Sequence, residues 1–74
     1  MKTIGERAAE AVRGRCVLNR TFLGAELDKL GVSRTVFHNW EKAVFEPNAY
    51  YLQQMAFAGY DVIYILTGEK KNEN

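Results

Sequence analysis

The sequence predicts an all-α fold, a compact bundle of five short helices. Apolar residues recur at three- and four-residue spacings through most of the chain, as they do on one face of an amphipathic helix. Glycine, proline and cap-forming side chains divide this pattern into short segments. No alternation of apolar and polar residues runs far enough to indicate a sheet. With 74 residues, the chain is long enough for one small domain.

The first helix is predicted from about Thr3 to Arg13. Its inner face is formed by Ile4, Ala8, Ala11 and Val12. The next segment, GRCVLNR, is predicted to be a connection that turns Val17 and Leu18 inward.

The second helix is predicted from near Thr21 to Leu30. Its inner stripe consists of Leu23, Leu27 and Leu30. Gly31 is expected to end this helix, because glycine tolerates the positive φ of a helix C-terminal turn. Val32 then fills the corner, and the hydroxyl of Ser33 can cap a third helix.

Two more helices follow a loop that contains the only proline, Pro47. Asn48 caps the fourth helix, AYYLQQMAFA, which ends at Gly59. Asp61 caps the fifth, VIYILT, which ends at Gly68. The predicted inner residues are Leu52, Met55 and Ala56 on the fourth helix, and Val62, Ile65 and Leu66 on the fifth.

Composition narrows the class of protein. The lone Cys16 excludes an internal disulfide and fits a reducing cytoplasm, where we expect it to be a small core or loop residue. No apolar run approaches the ~18 residues that span a bilayer, so no membrane is expected. Residues 1–42 carry eight Lys or Arg against five Asp or Glu, and residues 43–74 carry two against four. We assign residues 1–69 to the domain and 70–74 to a charged, disordered tail.

The third helix, which reaches about Lys42, separates its polar from its apolar side chains. An arc of about 140° holds Arg34, Thr35, His38, Asn39 and Lys42. Val36, Phe37 and Trp40 lie opposite. Because the apolar side must face the other helices, the polar side faces outward on a helix that follows a tight glycine-containing turn. That arrangement is typical of a helix-turn-helix, although a solvated helix face would show the same pattern.

The outward residue types suit the major groove of DNA. Arginine can bridge O6 and N7 of guanine, and asparagine can bridge N6 and N7 of adenine. The first turn of such a helix reaches deepest, so Arg34 and Thr35 are the leading base readers, followed by His38 and Asn39. Val36 borders this face and can contact a thymine methyl group. Near the helix ends, the candidate phosphate contacts are Arg20, Thr21, Ser33 and Lys42.

Several motifs resemble one known family. LGVSRTVFHNWEK, followed by FEP and YLQQMA, resembles the helix-turn-helix of the phage lambda repressor-like superfamily, often called the XRE family. The closing GYDVIYILTGE and the early GER are similar to the ends of such domains. The resemblance implies a lambda repressor-like five-helix bundle. It further implies a cytoplasmic, nucleoid-associated phage or prophage repressor in a bacterial host, bound to double-stranded operator DNA as a homodimer to repress transcription.

Three residues depart from the family pattern. Glu26 stands where an apolar residue is usual, which makes the start of the second helix hard to place. Leu27 replaces a small residue where the second and third helices approach, so a wider crossing is expected. Ala43 replaces the common glycine after WEK, so the third helix is expected to end differently.

Apolar surface on the last two helices indicates a protein contact. Tyr50 and Phe57 lie seven residues apart, and Ile63 and Tyr64 lie outside the predicted inner face. We expect a homodimer through the fifth helix that grips two half-sites one helical turn apart.

A different class of function stays open, a protein-interaction module such as the target of an antirepressor protein. No catalytic triad, phosphate loop or metal-ligand spacing is present, even with Cys16 and His38 considered together. We therefore expect no enzyme activity, cofactor or metal.

Overall fold

Five α-helices make up the secondary structure of residues 1–70, the part of the chain that the computed structural model describes. In chain order they are α1 Ile4–Asn19, α2 Leu23–Leu30, α3 Arg34–Glu41, α4 Ala49–Phe57 and α5 Val62–Thr67. No strand occurs in these residues, so the predicted all-α class is confirmed. Apart from Lys70, the predicted tail lies outside the described residues.

The first helix ends six residues later than predicted, at Asn19, so the segment GRCVLNR up to Asn19 is part of it. An interior glycine such as Gly14 destabilises a helix by only about 1 kcal/mol relative to alanine. The continuation of α1 buries the side chain of Cys16, which offsets this cost. Val17 and Leu18 consequently point to solvent, with 80% and 82% of their surface exposed, and the prediction that they turn inward is wrong. Cys16 is a core residue.

The helices α1 to α4 end in the same hydrogen-bonded arrangement, the Schellman motif. After α2, for example, the N–H of Val32 donates to the carbonyl of Leu27 at 3.0 Å, and that of Gly31 to Asp28 at 3.2 Å. The other three helices show the equivalent N–H to carbonyl pairs: Thr21 to Cys16 and Arg20 to Val17 after α1, Val44 to Asn39 and Ala43 to Trp40 after α3, and Tyr60 to Met55 and Gly59 to Ala56 after α4. The predicted stop at Gly31 is confirmed.

The left-handed residue of this motif is a glycine after α2 and α4, but not after α1 and α3. Arg20 has φ 52° and Ala43 has φ 59°. A side chain with a Cβ atom pays roughly 1–2 kcal/mol for this conformation. The third helix therefore ends in a conformation that glycine adopts without strain, and Ala43 bears that strain.

The starts of α3, α4 and α5 are capped as the sequence predicts. The side-chain oxygens of Ser33, Asn48 and Asp61 accept hydrogen bonds from backbone N–H groups three residues later, at 3.0–3.1 Å. The second helix differs, because its N-cap is Phe22 and no side chain caps it. It begins at Leu23, later than the predicted start near Thr21.

The core lies between α1 and the other helices. Its buried apolar residues are Ala8, Ala9, Val12, Cys16, Leu27, Leu30, Val32, Phe37, Trp40, Met55, Tyr60 and Ile65. Most of the predicted inner residues belong to this core or pack on its edge. Ala56 is an exception, because it is exposed while Tyr51 of the same helix stacks edge-on against Trp40 at 5.6 Å between ring centroids.

A buried arginine orients α5. Arg7 donates to the carbonyl oxygens of Ile65 at 2.8 Å, Leu66 at 3.1 Å and Lys2 at 2.6 Å. These bonds hold α5 with Ile65 fully buried and Leu66 41% exposed. Tyr64 is half-buried against the core. The prediction that Leu66 faces inward and Tyr64 outward is therefore wrong.

A buried carboxylate joins α2 to the segment before α5. Glu26 is 2% exposed, and its Oε2 accepts a hydrogen bond from the hydroxyl of Tyr60 at 2.7 Å. Its other oxygen, Oε1, is buried with no hydrogen-bond partner. Burial raises the pKa of Tyr60 well above its usual range, and the bond to Glu26 raises it further. The polar residue at this position is thus accommodated within the core, in the first turn of α2.

Gly5 lets α1 lie directly on the end of α3. A Cβ atom at this position would lie 2.8 Å from the carbonyl oxygen of Phe45 and 3.0 Å from that of Trp40. Both neighbours are backbone atoms, which cannot rotate away. Gly14, further along the same helix, would place its Cβ in open space.

These two glycines should respond oppositely to alanine. Gly5→Ala should lower the free energy of unfolding by roughly 1–3 kcal/mol, because the added methyl overpacks two backbones. Gly14→Ala should raise it by about 1 kcal/mol through helix propensity. Urea unfolding followed by circular dichroism compares both with the parent chain. Equal effects at the two positions would contradict the close approach at Gly5.

The buried pair makes a second prediction. Tyr60→Phe should lower the free energy of unfolding by roughly 1–3 kcal/mol, because it leaves the Glu26 carboxylate without its hydrogen bond. Adding Glu26→Leu should recover most of that loss, since an apolar pair leaves no buried polar group without a hydrogen bond. Tyr50→Phe, at an exposed tyrosine, is the matched control and should be neutral. A double variant no more stable than Tyr60→Phe alone would argue against this account.

Candidate nucleic-acid interface

The third helix buries one side and presents the other. Phe37 and Trp40 are fully buried, and their ring centroids lie 6.4 Å apart. Because these two side chains face α1 and the core, the opposite side of α3 must face solvent. On that side Arg34, Thr35 and His38 are exposed and Asn39 is half-buried, while Val36 packs on the edge of the core. Four of the five candidate base-reading residues therefore share one accessible face, and Val36 lies at its border against the core.

A three-residue turn, Gly31 to Ser33, separates α2 from α3. Val32 is buried within it and Ser33 is exposed. The hydroxyl of Ser33 accepts from the N–H of Val36 at 3.1 Å. The N–H groups of Arg34 and Thr35 have no intrahelical acceptor, as in the first turn of any α-helix, and can donate to an anion.

The side chain of Arg34, at the start of α3, reaches the first turn of α2. A Cβ atom on Gly24 would be 3.2 Å from Nη2 of Arg34, so the guanidinium rests against the first turn of α2. Immediately before this turn come Arg20, which is exposed, and Thr21, which is half-buried. Since the N-cap Phe22 makes no side-chain cap, the first N–H groups of α2 remain able to donate.

The second half of α3 carries a carboxylate. Nη2 of Arg13 donates to Oε1 of Glu41 at 3.1 Å, and Nδ1 of His38 lies 3.2 Å from the same oxygen. The bond from Arg13 holds the pKa of Glu41 below its usual range, and His38 lowers it further against the opposing effect of burial. An ionised Glu41 therefore offsets positive charge near His38. Arg34 and Thr35, one to two turns earlier, lie outside this ion-pair group.

The candidate phosphate contacts do not form one cluster. Arg20, Thr21 and Ser33 lie near the starts of α2 and α3, whereas Lys42 follows the end of α3. Eight residues of helix place Lys42 about 12 Å from Arg34 along the axis.

The sequence analysis did not identify Gly24 as part of this interface. Its proximity to the Arg34 side chain depends on the tertiary fold and leaves no signal in the local sequence pattern.

The candidate dimer residues are only partly exposed. Tyr50, Phe57 and Ile63 are exposed by 56%, 77% and 63% respectively. Tyr64 is half-buried, with Nζ of Lys70 5.8 Å from its ring centroid. Leu66 adds to the exposed apolar surface of α5.

A second exposed apolar group lies at the corner between α1 and α2 and was not predicted. It consists of Val17, Leu18 and Phe22.

A depression of about 210 Å³ lies between α1 and α3. Its lining consists of Lys2, Glu6, Ala9, Glu10, Arg13 and Glu41. Four of the five charged groups are paired within the protein, Lys2 with Glu10 and Arg13 with Glu41. The fifth, Glu6, accepts a hydrogen bond from the N–H of Thr3 at 2.8 Å in the cap of α1.

Comparison with family models, with curated proteins and with solved structures gave no match. Among residues 1–70, no helix combines the length and apolarity needed to cross a bilayer. No group of three His, Cys, Asp or Glu side chains in the same residues is placed to hold a metal ion.

Proposed function

We propose that this chain is a sequence-specific DNA-binding domain in which α2, the turn and α3 act as a helix-turn-helix. The observation that carries the proposal is the outward polar face of α3, held opposite buried Phe37 and Trp40 by a short turn after α2. A three-residue turn with glycine between two such helices is typical of this motif. The family resemblance of the sequence supports the same reading.

The first turn of α3 supplies the strongest candidates for reading bases. Arg34 is exposed, and no salt bridge among residues 1–70 occupies its guanidinium. Its planar fork can donate two hydrogen bonds to a guanine. Thr35 lies beside it, and His38 and Asn39 follow one turn later. Because Glu41 engages His38, we assign adenine recognition to Asn39 and a lesser role to His38.

The starts of α2 and α3 supply phosphate contacts. Both helices leave backbone N–H groups free in their first turns, and the helix dipoles make these ends favourable for anions. Arg20 and Thr21 flank one start and Ser33 the other. Lys42 would contact the backbone at the far end of α3. With so few phosphate contacts per chain, affinity gains from a dimer that grips two half-sites.

We propose further that the chain forms a homodimer through α5, with Ile63 at the centre and Tyr50, Phe57 and Tyr64 nearby. The exposed apolar surface of α4 and α5 supports this assignment. By the family resemblance, the dimer would be a phage or prophage repressor in the cytoplasm of a bacterial host.

A second candidate function is a protein-interaction module. An exposed apolar group at the corner between α1 and α2 favours it, because DNA binding by α3 gives this group no role. The group consists of Val17, Leu18 and Phe22, each at least 80% exposed. An antirepressor protein docking on the domain would use such a surface. In that case Arg34 and Asn39 would be dispensable for the biological activity.

DNA selection distinguishes the two functions. From a randomised duplex library at physiological salt, the parent chain should enrich an inverted repeat with half-sites about one helical turn apart. Arg34→Ala should remove the base preference at one position of each half-site, a loss of roughly 1–3 kcal/mol in discrimination against the wrong base. Asn39→Ala should remove the preference at a different position. Lys29→Ala, an exposed cation in the last turn of α2, is the control and should keep the preference. Folded parent chain that enriches nothing would refute DNA reading.

Light scattering tests the dimer. Ile63→Glu should reduce the mass from two chains to one, because a carboxylate would be buried at the centre of the interface. Leu18→Glu, at an even more exposed apolar residue of α1, should leave the mass unchanged. Loss of the dimer in Leu18→Glu alone would move the interface to the corner between α1 and α2.

A further inference from the structure

Gly24 occupies a helical position where its backbone does not require glycine. Its φ is not positive, unlike that of Gly31, Gly59 and Gly68. Glycine within a helix is less stable than alanine by about 1 kcal/mol. Alanine would therefore fit the backbone of α2 at this position, and the effect of its methyl group depends on what lies beside it.

Gly24 differs from the other helical glycines in the group that lies beside it. Three glycines lie within helices in residues 1–70, and each would meet something different if it carried a Cβ atom. Gly5 would meet backbone, Gly14 would meet nothing within 4 Å, and Gly24 would meet Nη2 of Arg34 at 3.2 Å. Of the three, only Gly24 touches the end of a candidate base-reading side chain.

We propose that Gly24 is a positioning residue that sets where the Arg34 guanidinium lies, and hence which base the domain prefers. This inference rests on the proposed function. Because Gly24 has no side chain, the guanidinium of Arg34 can occupy the space beside the first turn of α2. A methyl group there would displace the guanidinium by a few tenths of an ångström, since 3.2 Å is tighter than ordinary van der Waals contact.

A small displacement matters more for DNA reading than for folding. Arg34 is exposed, and its guanidinium is the far end of a flexible side chain, so the fold can absorb the shift. A bidentate contact to guanine, in contrast, needs both N–H groups within hydrogen-bonding distance of O6 and N7 at once. Within the described residues, the guanidinium of Arg34 forms no salt bridge that would compete with the contact to guanine.

The test is a double-mutant cycle between positions 24 and 34. The base pair to examine is the one whose preference relaxes in Arg34→Ala, measured by competition between the selected operator and a duplex changed at that pair. A bidentate arginine supplies roughly 5- to 150-fold discrimination. Gly24→Ala should reduce it at least about threefold, while its melting temperature equals or exceeds that of the parent. In the Arg34→Ala background, Gly24→Ala should have no further effect.

Two controls make the outcome specific. Gly14→Ala adds the same methyl to an exposed helix position and should leave discrimination unchanged. Gly24→Ser adds the same Cβ and should reproduce the loss seen with alanine. Full discrimination in both Gly24 variants would overturn the inference while the proposed function stands. An equal loss in the Arg34→Ala background would also overturn it. A parent chain that selects no sequence would instead refute the proposed function, and the specificity role with it.

Discussion

A Cβ atom on Gly5 would lie 3.0 Å from the carbonyl oxygen of Trp40 and 2.8 Å from that of Phe45, so α1 meets the end of α3 and the loop after it backbone to backbone. This approach brings α3 close enough for Phe37 and Trp40 to be buried completely. Because one side of α3 is held so tightly, its other side is presented to solvent in a defined orientation. The candidate interface is a consequence of that packing, and it would be lost if α3 could roll on α1.

The way in which the helices end keeps the elements close together. Schellman motifs after α1 to α4 satisfy terminal carbonyl groups while turning the chain sharply, so short connections suffice. Arg20 and Ala43 adopt the left-handed conformation without being glycine. Packing therefore outweighs local preference at these two positions. Arg34, at the start of α3, extends its side chain to the first turn of α2, where a Cβ atom on Gly24 would lie 3.2 Å from Nη2.

Charge is distributed unevenly along the outward side of α3. Near its end, Glu41 bonds to Arg13 of α1 and approaches His38, which ties α3 to α1 and offsets positive charge. At its start, the Arg34 side chain reaches the first turn of α2, whose N-terminus has no side-chain cap. The C-terminal half of α3 is thus structural, and its N-terminal half is available to a ligand. DNA recognition would depend on the N-terminal half, and on the orientation that the C-terminal half imposes on it.

The sequence by itself determined the helix count, the caps at Ser33, Asn48 and Asp61, the stop at Gly31, and the two sides of α3. These features depend on residues close in sequence, whose capping and periodicity act through local geometry. Tertiary structure decided the continuation of α1 past Gly14, the outward turn of Leu66 and the contact between Gly24 and Arg34. Each depends on a partner distant in the chain or on competing packing, as when Arg7 binds carbonyl groups 58 and 59 residues away and thereby rotates α5. Periodicity within a six-residue helix cannot outweigh such contacts.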